Sequence, residues 1–261
     1  RSWFTLVSAP LNETAPATRR RSEWGAMAGM DCLIGFVGKD FAIVAADMNA
    51  ARSIMVYSQD EDKILKLDSH KLLAVGGDAA DCIQEPDFFK KNMDLYAMRN
   101  GVPLSTHAAA NYMRGEKSYN LRRRMSQVDM LLAGYDKDVG PSLYVMMLPL
   151  HEDVSFSLRL SLLRAIYFAL NGTILSPGLR YFIDYLASMQ KLDKASHGYG
   201  GFFVNSLLDT HWKPDLTEAE ALTLLESCFK EIQKRFMISM PNFTIKIVDA
   251  NGVRTVPRAS S

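Results

Sequence analysis

The chain is poor in the residues that build metal centres and disulfide frameworks. Its 261 residues include three cysteines and five histidines, and neither type recurs at the spacing of a metal-ligand motif. An odd number of scattered cysteines is typical of free thiols in a reducing compartment. We therefore expect no structural disulfide, no metal site and no bound cofactor.

Long hydrophobic runs and an excess of one charge are also missing. The most apolar stretch, residues 154–170, is short for a membrane span and contains Arg159 and Arg164. Thirty Lys and Arg residues face 29 Asp and Glu residues, so the chain is close to neutral. This composition predicts neither a membrane nor a nucleic acid as a partner.

Residues 32–47, CLIGFVGKDFAIVAAD, predict a β-hairpin that organises the rest of the chain. Two apolar runs, residues 32–37 and 41–46, are separated by the turn residues Gly-Lys-Asp. Neither run alternates with polar residues, so we expect both faces of both strands to be covered. The hairpin therefore predicts a further layer of structure on each side of its sheet.

Capping residues and apolar spacing predict four helices. Asp78 is a candidate N-cap with Gly101 as the stop, Ser105 caps the second helix, and Thr217 with Glu220 fits a capping box. Pro86 should kink the first helix or split its first turns. The predicted helices are residues 79–99, 105–124, 200–210 and 217–236.

Four segments carry a resemblance to a known family: CLIGFVGKDFAIVAAD, EDKILKLDSHKLLAVGGDAAD, LLAGYDKDVGPSLY and ASHGYGGFFVNSLLD. In this order, within residues 30–252, they resemble β subunits of the eukaryotic 20S proteasome, in particular the subunit type at the fourth β position. The resemblance implies an α+β fold, the four-layer αββα sandwich of the N-terminal-nucleophile hydrolases. It also implies work in ubiquitin-dependent and general intracellular protein degradation, in the cytoplasm and nucleus. The implied partners are other β subunits in a seven-membered ring and the adjacent α ring.

The domain organisation that we predict is one β-type domain, residues 30–252, between a poorly ordered extension, residues 1–29, and a tail, residues 253–261. Residues 145–180 interrupt this domain, because residues 142–144 should continue directly into residues 183–186. Compact domains rarely contain such long intervening segments. We consider two origins: a retained intron or gene-model error, and a genuine lineage-specific insertion whose residues 156–170 form a surface helix.

The resemblance also locates the catalytic site of active relatives. Their mature chain begins with a threonine, whose hydroxyl attacks the peptide carbonyl while its own α-amine acts as the base. Here Asp31 stands at that position, and Asp47 and Lys63 follow at the family spacing of sixteen and thirty-two residues. A buried Asp–Lys pair can persist without catalysis, because losing either partner leaves an uncompensated charge.

Three further positions bear on activity. By the resemblance, Gly201 occupies a serine position and Phe236 an aspartate position, whereas Ser239 matches active relatives. We therefore predict a non-catalytic structural subunit with remnants of the family site. The alternatives are an active threonine-type peptidase and a free-standing hydrolase that uses Cys32. Since side chains alternate along a strand, Cys32 should point away from Lys63.

Overall fold

A computed structural model describes residues 31–52, 55–121, 123, 126–147, 188–236 and 240–258. The strands in these residues are β1 Leu33–Val37, β2 Phe41–Asp47, β3 Ala50–Arg52, β4 Met55–Ser58, β5 Ile64–Asp68, β6 Lys71–Gly77, β7 Val128–Asp136, β8 Gly140–Met147, β9 Ser188–Leu192, β10 Lys194–His197, β11 Phe243–Asp249 and β12 Gly252–Val256. The helices are α1 Ala79–Asn100, α2 Thr106–Asn120, α3 Tyr199–His211 and α4 Glu218–Arg235.

Ten of these strands form two five-stranded antiparallel sheets. The first sheet has the order β10-β1-β2-β11-β12, and the second has the order β5-β6-β7-β8-β9. β3 and β4 pair with each other in a separate two-stranded ribbon. Two antiparallel sheets with four helices confirm the mixed α and β class expected from the sequence.

Three apolar layers hold these elements together. One lies between the first sheet and the helices α3 and α4, and a second lies between the two sheets. The third lies between the second sheet and the helices α1 and α2. Each sheet therefore has one face toward a helix pair and the other toward the opposite sheet.

The β1–β2 hairpin shows why its two strands carry no polar alternation. Ile34 and Phe36 of β1 pack into the layer under α3 and α4, whereas Leu33 packs into the layer between the sheets. All residues of β2 are buried. The predicted hairpin with two covered faces is confirmed.

The helix predictions hold for position and capping, with three differences. Asp78 accepts a hydrogen bond from the backbone N–H of Ala80, and Gly101 ends α1 in a left-handed conformation with φ +70°. α1 is unbroken and includes Pro86, so the predicted split is wrong; the proline is buried. α2 ends at Asn120 rather than at residue 124, and α3 begins at Tyr199. The capping box of α4 is present.

Two strands extend past the domain boundaries that we predicted. β8 continues through Met147, so the first three residues that we assigned to the interruption belong to a strand. Val145 and Met146 are 5% and 2% exposed and pair with both β7 and β9, so their burial explains why they remain in the sheet. The predicted tail begins inside β12, which pairs with β11 through Val256. Residues 1–29 and the rest of the interruption lie outside the described residues.

Candidate functional site

Four chain segments meet at one end of the sandwich. Asp31 precedes β1, Asp47 ends β2, Lys63 precedes β5 and Gly77 ends β6. Since β1 pairs antiparallel with β2, and β5 with β6, each strand start lies beside the end of its partner. The sequence spacing of Asp31, Asp47 and Lys63 therefore corresponds to one cluster in space.

The Lys63 ammonium is the centre of this cluster. It donates hydrogen bonds to Asp31 Oδ1 at 2.5 Å, to Asp47 Oδ2 at 2.9 Å and to the Asn49 carbonyl oxygen at 2.7 Å. The Lys63 and Asp47 side chains are 8% and 1% exposed, and that of Asp31 is 20% exposed. The three donor hydrogens of the ammonium are thus matched by three oxygens away from bulk water.

Backbone N–H groups bind the two carboxylates as well. Asp31 Oδ2 accepts from the N–H of Gly77 at 2.7 Å, which joins the start of the first sheet to the end of a strand in the second. Asp47 Oδ1 accepts from the N–H of Cys32 at 2.7 Å, and Asp47 Oδ2 accepts from the N–H of Asn49. The cluster is therefore an ion-pair triad that also links the two sheets at one end of the sandwich.

One ammonium between two carboxylates leaves the ionised cluster with net negative charge. Burial raises the pKa of the Asp47 carboxyl, and the Asp31 charge adds to this shift, so that Lys63 offsets it only in part. Burial alone would lower the pKa of Lys63, but Asp47 and Asp31 together outweigh burial and raise it. The ammonium therefore stays charged and is poorly suited to accept a proton near neutral pH.

Gly198 lies directly against the backbone carbonyl of Asp31. A Cβ atom added to Gly198 would lie 1.7 Å from the carbonyl oxygen of Asp31. Gly198 also has φ +75° and ψ −176°, a conformation that is essentially restricted to glycine. A glycine here lets α3 begin directly against the cluster.

The structure brings together three of the six residues that the sequence assigned to the site. The atoms nearest to a Cβ added at Gly201 belong to Ser196 of β10, with its Oγ at 2.9 Å. The Phe236 ring packs edge-on against Phe203 at 6.1 Å, in the layer under α3 and α4. Ser239 lies outside the described residues.

Sequence reasoning missed two groups that complete the cluster: the N–H of Gly77 and the carbonyl of Asn49. Both act through the backbone, whose carbonyl every residue supplies and whose N–H every residue except proline supplies. The glycines at residues 198, 200 and 201 did indicate a close backbone approach at a helix start, and Gly198 makes this approach against Asp31.

Cys32 lies on the other face of the strand from Asp31. Its side chain is fully buried in the layer under α3 and α4, where a Cβ added to Gly200 would come within 2.2 Å of the sulfur. Burial raises the pKa of the Cys32 thiol, and the Asp47 charge raises it further. A thiol in this position is held in its unreactive protonated form.

His197 is a buried titratable residue next to the cluster. It ends β10 directly before Gly198 and is 5% exposed. Burial lowers the pKa of His197, although the Asp129 charge acts in the opposite direction. Its folded-state pKa therefore lies below the unfolded value of 6.5.

We expect this histidine to make the fold less stable in mild acid. The unfolded chain takes up a proton near pH 6.5 that the folded chain does not, so stability is complete above pH 6.5 and falls as the pH drops below it. The free energy of unfolding of His197→Gln, measured between pH 7.5 and 5.5, should depend less on pH than that of the parent. Thr210→Gln, at an exposed position without a titratable group, should keep the parent's slope. Equal slopes for all three proteins would contradict the assignment.

Comparisons with known proteins identify the family of this chain. A family model described as proteasome subunit matches residues 28–148 and 178–248. The chain belongs to the proteasome subunit family. Proteasome subunit beta type-2 of Oryza sativa subsp. japonica is 42% identical over 88% of this chain and 91% of its own length.

More distant relatives are β subunits as well. Proteasome subunit beta type-2 of Dictyostelium discoideum is 36% identical over 87% of this chain and 98% of its own length. Proteasome subunit beta type-4 of Saccharomyces cerevisiae is 32% identical over 87% of this chain and 97% of its own length. The chain is therefore a β subunit of the 20S proteasome.

Two further observations concern the described part of this β subunit. None of its helices is long and apolar enough to cross a membrane. Its His, Cys, Asp and Glu side chains also form no group of three or more that could hold a metal ion.

Proposed function

We propose that this β subunit is non-catalytic and serves as a structural member of the 20S proteasome core. It would occupy one place in a seven-membered β ring, between two β neighbours and against the adjacent α ring. In this role it would support ubiquitin-dependent and general protein degradation in the cytoplasm and nucleus. The fold would then be the αββα sandwich of the N-terminal-nucleophile hydrolases, with its nucleophile replaced.

The observation that carries this proposal is the state of Asp31. By the family resemblance Asp31 occupies the nucleophile position, and its carboxylate is held on one oxygen by Lys63 and on the other by the N–H of Gly77. An ionised carboxylate has no proton for a base to remove, and here both of its oxygens are already bound. The groups that would assist a threonine instead bind a structural side chain.

The two catalytic alternatives have less support. A threonine-type peptidase needs a threonine where the chain has Asp31. A hydrolase that uses Cys32 needs a thiolate directed toward a base, but this sulfur is buried under Gly200 in an apolar layer. A structural role, in which Asp31, Asp47 and Lys63 link the two sheets, therefore accounts best for the geometry of these residues.

The proposed assembly role also fits the outer surface of α1. Ile83, Phe88, Leu95 and Met98 are large apolar side chains exposed on this helix. In α4, the corresponding helix of the other outer layer, no large apolar side chain is exposed among the described residues. Several exposed large apolar residues on one helix are typical of a surface that another protein covers.

The proposal can be tested on particles purified from cells that express a tagged form of this chain. A fluorescent electrophile that reacts with N-terminal threonine should label other β subunits in the particle and leave this chain unlabelled. N-terminal sequencing of the chain from the same particles should show a start other than Cys32. Labelling of this chain, or a mature start at Cys32, would contradict the non-catalytic role.

Restoring the nucleophile alone should not restore activity. If residues 1–30 are removed and Asp31 is replaced by threonine, the new hydroxyl would lie beside Lys63. Phe236 would still supply no carboxylate, and Gly201 no hydroxyl, so the groups that position the amine and its proton would be incomplete. In assembled particles, this variant should cleave a fluorogenic peptide at the background rate of particles that contain the parent. Clear cleavage above that background would show that Asp31 is the only defect.

The intervening segment offers a separate prediction, because the family match omits residues 149–177. We expect a chain without residues 149–177 to be at least as stable as the full chain, since β8 and β9 keep all their residues. A chain without residues 145–180 should be less stable by about 2–4 kcal/mol, because Val145 and Met146 are lost from the core. Thermal melting of the three proteins would check this order. A lower melting temperature for the first deletion would favour a genuine insertion over a retained intron.

A further inference from the structure

Arg258, the last residue that the structure describes, lies against α4 and β11 instead of extending into solvent. It follows the end of β12 by two residues, and its side chain is 16% exposed. The guanidinium lies over two aromatic rings, 5.1 Å from the centre of Phe229 and 5.7 Å from the centre of Phe243. Arginine side chains are mostly exposed, so this degree of burial requires specific partners.

Three hydrogen bonds hold the guanidinium of Arg258 in this place. Its Nε donates to Glu226 Oε1 at 3.0 Å, and its Nη2 donates to Glu226 Oε2 at 3.3 Å. Its Nη1 donates to the carbonyl oxygen of Pro241 at 2.8 Å. Two parallel bonds to one carboxylate use the planar fork of a guanidinium, which an ammonium group cannot reproduce. The partners therefore select a guanidinium over other cations.

The aromatic wall of this site belongs to the core of the fold. Phe229 of α4 and Phe243 of β11 stack at 4.1 Å with an angle of 16° between their rings, in the layer under α3 and α4. Glu226 precedes Phe229 by three residues, so both lie on one face of α4. The wall and the carboxylate are therefore placed by a helix and a strand, without help from Arg258.

The carbonyl of Pro241 is also held by contacts that do not involve Arg258. The side-chain amide of Gln233 on α4 donates to the carbonyl oxygen of Met240 at 3.0 Å. The backbone N–H of Met48 donates to the carbonyl oxygen of Asn242 at 3.2 Å. Both neighbours of Pro241 are thus fixed to other parts of the fold, which positions its carbonyl oxygen beforehand.

We infer that α4 and β11 carry a preformed guanidinium-binding site. Arg258 fills this site in the present chain. Without that side chain, the site accepts another guanidinium compound, such as the arginine side chain of a peptide. The inference goes beyond the proposed function, because it assigns a ligand class to this chain by itself.

Chemical rescue tests the site on the full chain. Arg258→Ala should lower the melting temperature by about 4 °C or more, because charge-assisted hydrogen bonds are lost. Methylguanidinium chloride at about 50 mM should raise the melting temperature of this variant by about 2 °C, since it binds the folded state. Methylammonium chloride at the same concentration has the same charge without the fork and should give no rise. The parent, whose site is filled, should show no rise with either salt. No rise of Arg258→Ala with methylguanidinium, or an equal rise with methylammonium, would overturn the inference.

Arg235 provides a matched control, because it is a second arginine beside a phenylalanine ring. Its guanidinium lies 5.4 Å from the centre of Phe203 and pairs with Glu231, but its side chain is 55% exposed. Arg235→Ala should change the melting temperature by less than about 1 °C, since exposed ion pairs contribute little. Methylguanidinium should not raise it. A rise equal to that of Arg258→Ala would mean non-specific stabilisation and would overturn the inference.

A double-mutant cycle gives a second measurement, which needs no added ligand. Glu226→Gln removes the charge that binds Arg258 and keeps the shape of the side chain. Arg258→Ala and Glu226→Gln should each lower the free energy of unfolding, and the double variant should lose less than the sum. The double variant should also no longer respond to methylguanidinium. Additive losses, or a full response without the Glu226 carboxylate, would overturn the site.

Arg258→Lys separates a guanidinium site from a general cation site, and it keeps the test decisive if Arg258→Ala does not fold. The lysine retains the charge but lacks the fork, so this variant should also melt at least about 2 °C below the parent. A melting temperature equal to that of the parent would show that any cation is sufficient. That result would overturn the selectivity for guanidinium.

Discussion

Replacing Lys63 by methionine is expected to lower the free energy of unfolding by about 3–5 kcal/mol. The side chain keeps its approximate length, but the ammonium that binds Asp31, Asp47 and the Asn49 carbonyl is lost. The Asp47 carboxylate would then be buried without a counter-charge. Urea unfolding of the parent and the variant at pH 8 would measure the loss.

The pH dependence identifies the cause of this loss. Because burial already raises the pKa of Asp47, removal of the ammonium should raise it further. A raised folded-state pKa of a carboxyl group favours the folded state over the unfolded state as the pH falls. The loss of unfolding free energy caused by Lys63→Met should therefore be smaller at pH 5 than at pH 8. Lys230→Met, at an exposed position on α4, should change stability by less than about 0.5 kcal/mol at either pH. A deficit at position 63 that does not change with pH would point to lost packing instead.

Replacing Gly198 by alanine should be still more damaging, with a loss above about 4 kcal/mol. The new methyl group would overlap the Asp31 carbonyl oxygen, which lies 1.7 Å from the ideal Cβ position. Either β1 or the start of α3 must move, and both movements disturb the Lys63 cluster. The variant should accumulate poorly as a folded protein and melt far below the parent.

Gly101→Ala supplies the control for backbone strain. Gly101 also has a positive φ, +70°, but nothing lies within 4 Å of its added Cβ. Its substitution should cost about 1–2 kcal/mol, the penalty of a left-handed backbone alone. If Gly198→Ala cost no more than Gly101→Ala, the close approach to Asp31 would not determine stability at the cluster.

Local chemistry was enough to predict much of this fold from its sequence. The hairpin of β1 and β2 follows from two apolar runs around a short turn, and α1 and α4 follow from their caps. Errors occurred where tertiary packing outweighed local signals. Of the two effects predicted for Pro86, a kink or a split, the split is excluded because α1 continues through the proline. Val145 and Met146 stayed in β8 because both are buried between neighbouring strands.

By itself, the sequence determined the family, the absence of a threonine at position 31 and the spacing of Asp31, Asp47 and Lys63. Residue identity and separation along the chain are sufficient for such statements. Only the tertiary structure showed that both oxygens of Asp31 are bound, that Ser196 lies directly beside Gly201, and that Gly198 has no room for a side chain. These facts depend on backbone N–H groups, carbonyl oxygens and distances between strands. Nearly every residue carries the same backbone groups, since only proline lacks the N–H, so their partners are decided only when the two sheets pack together.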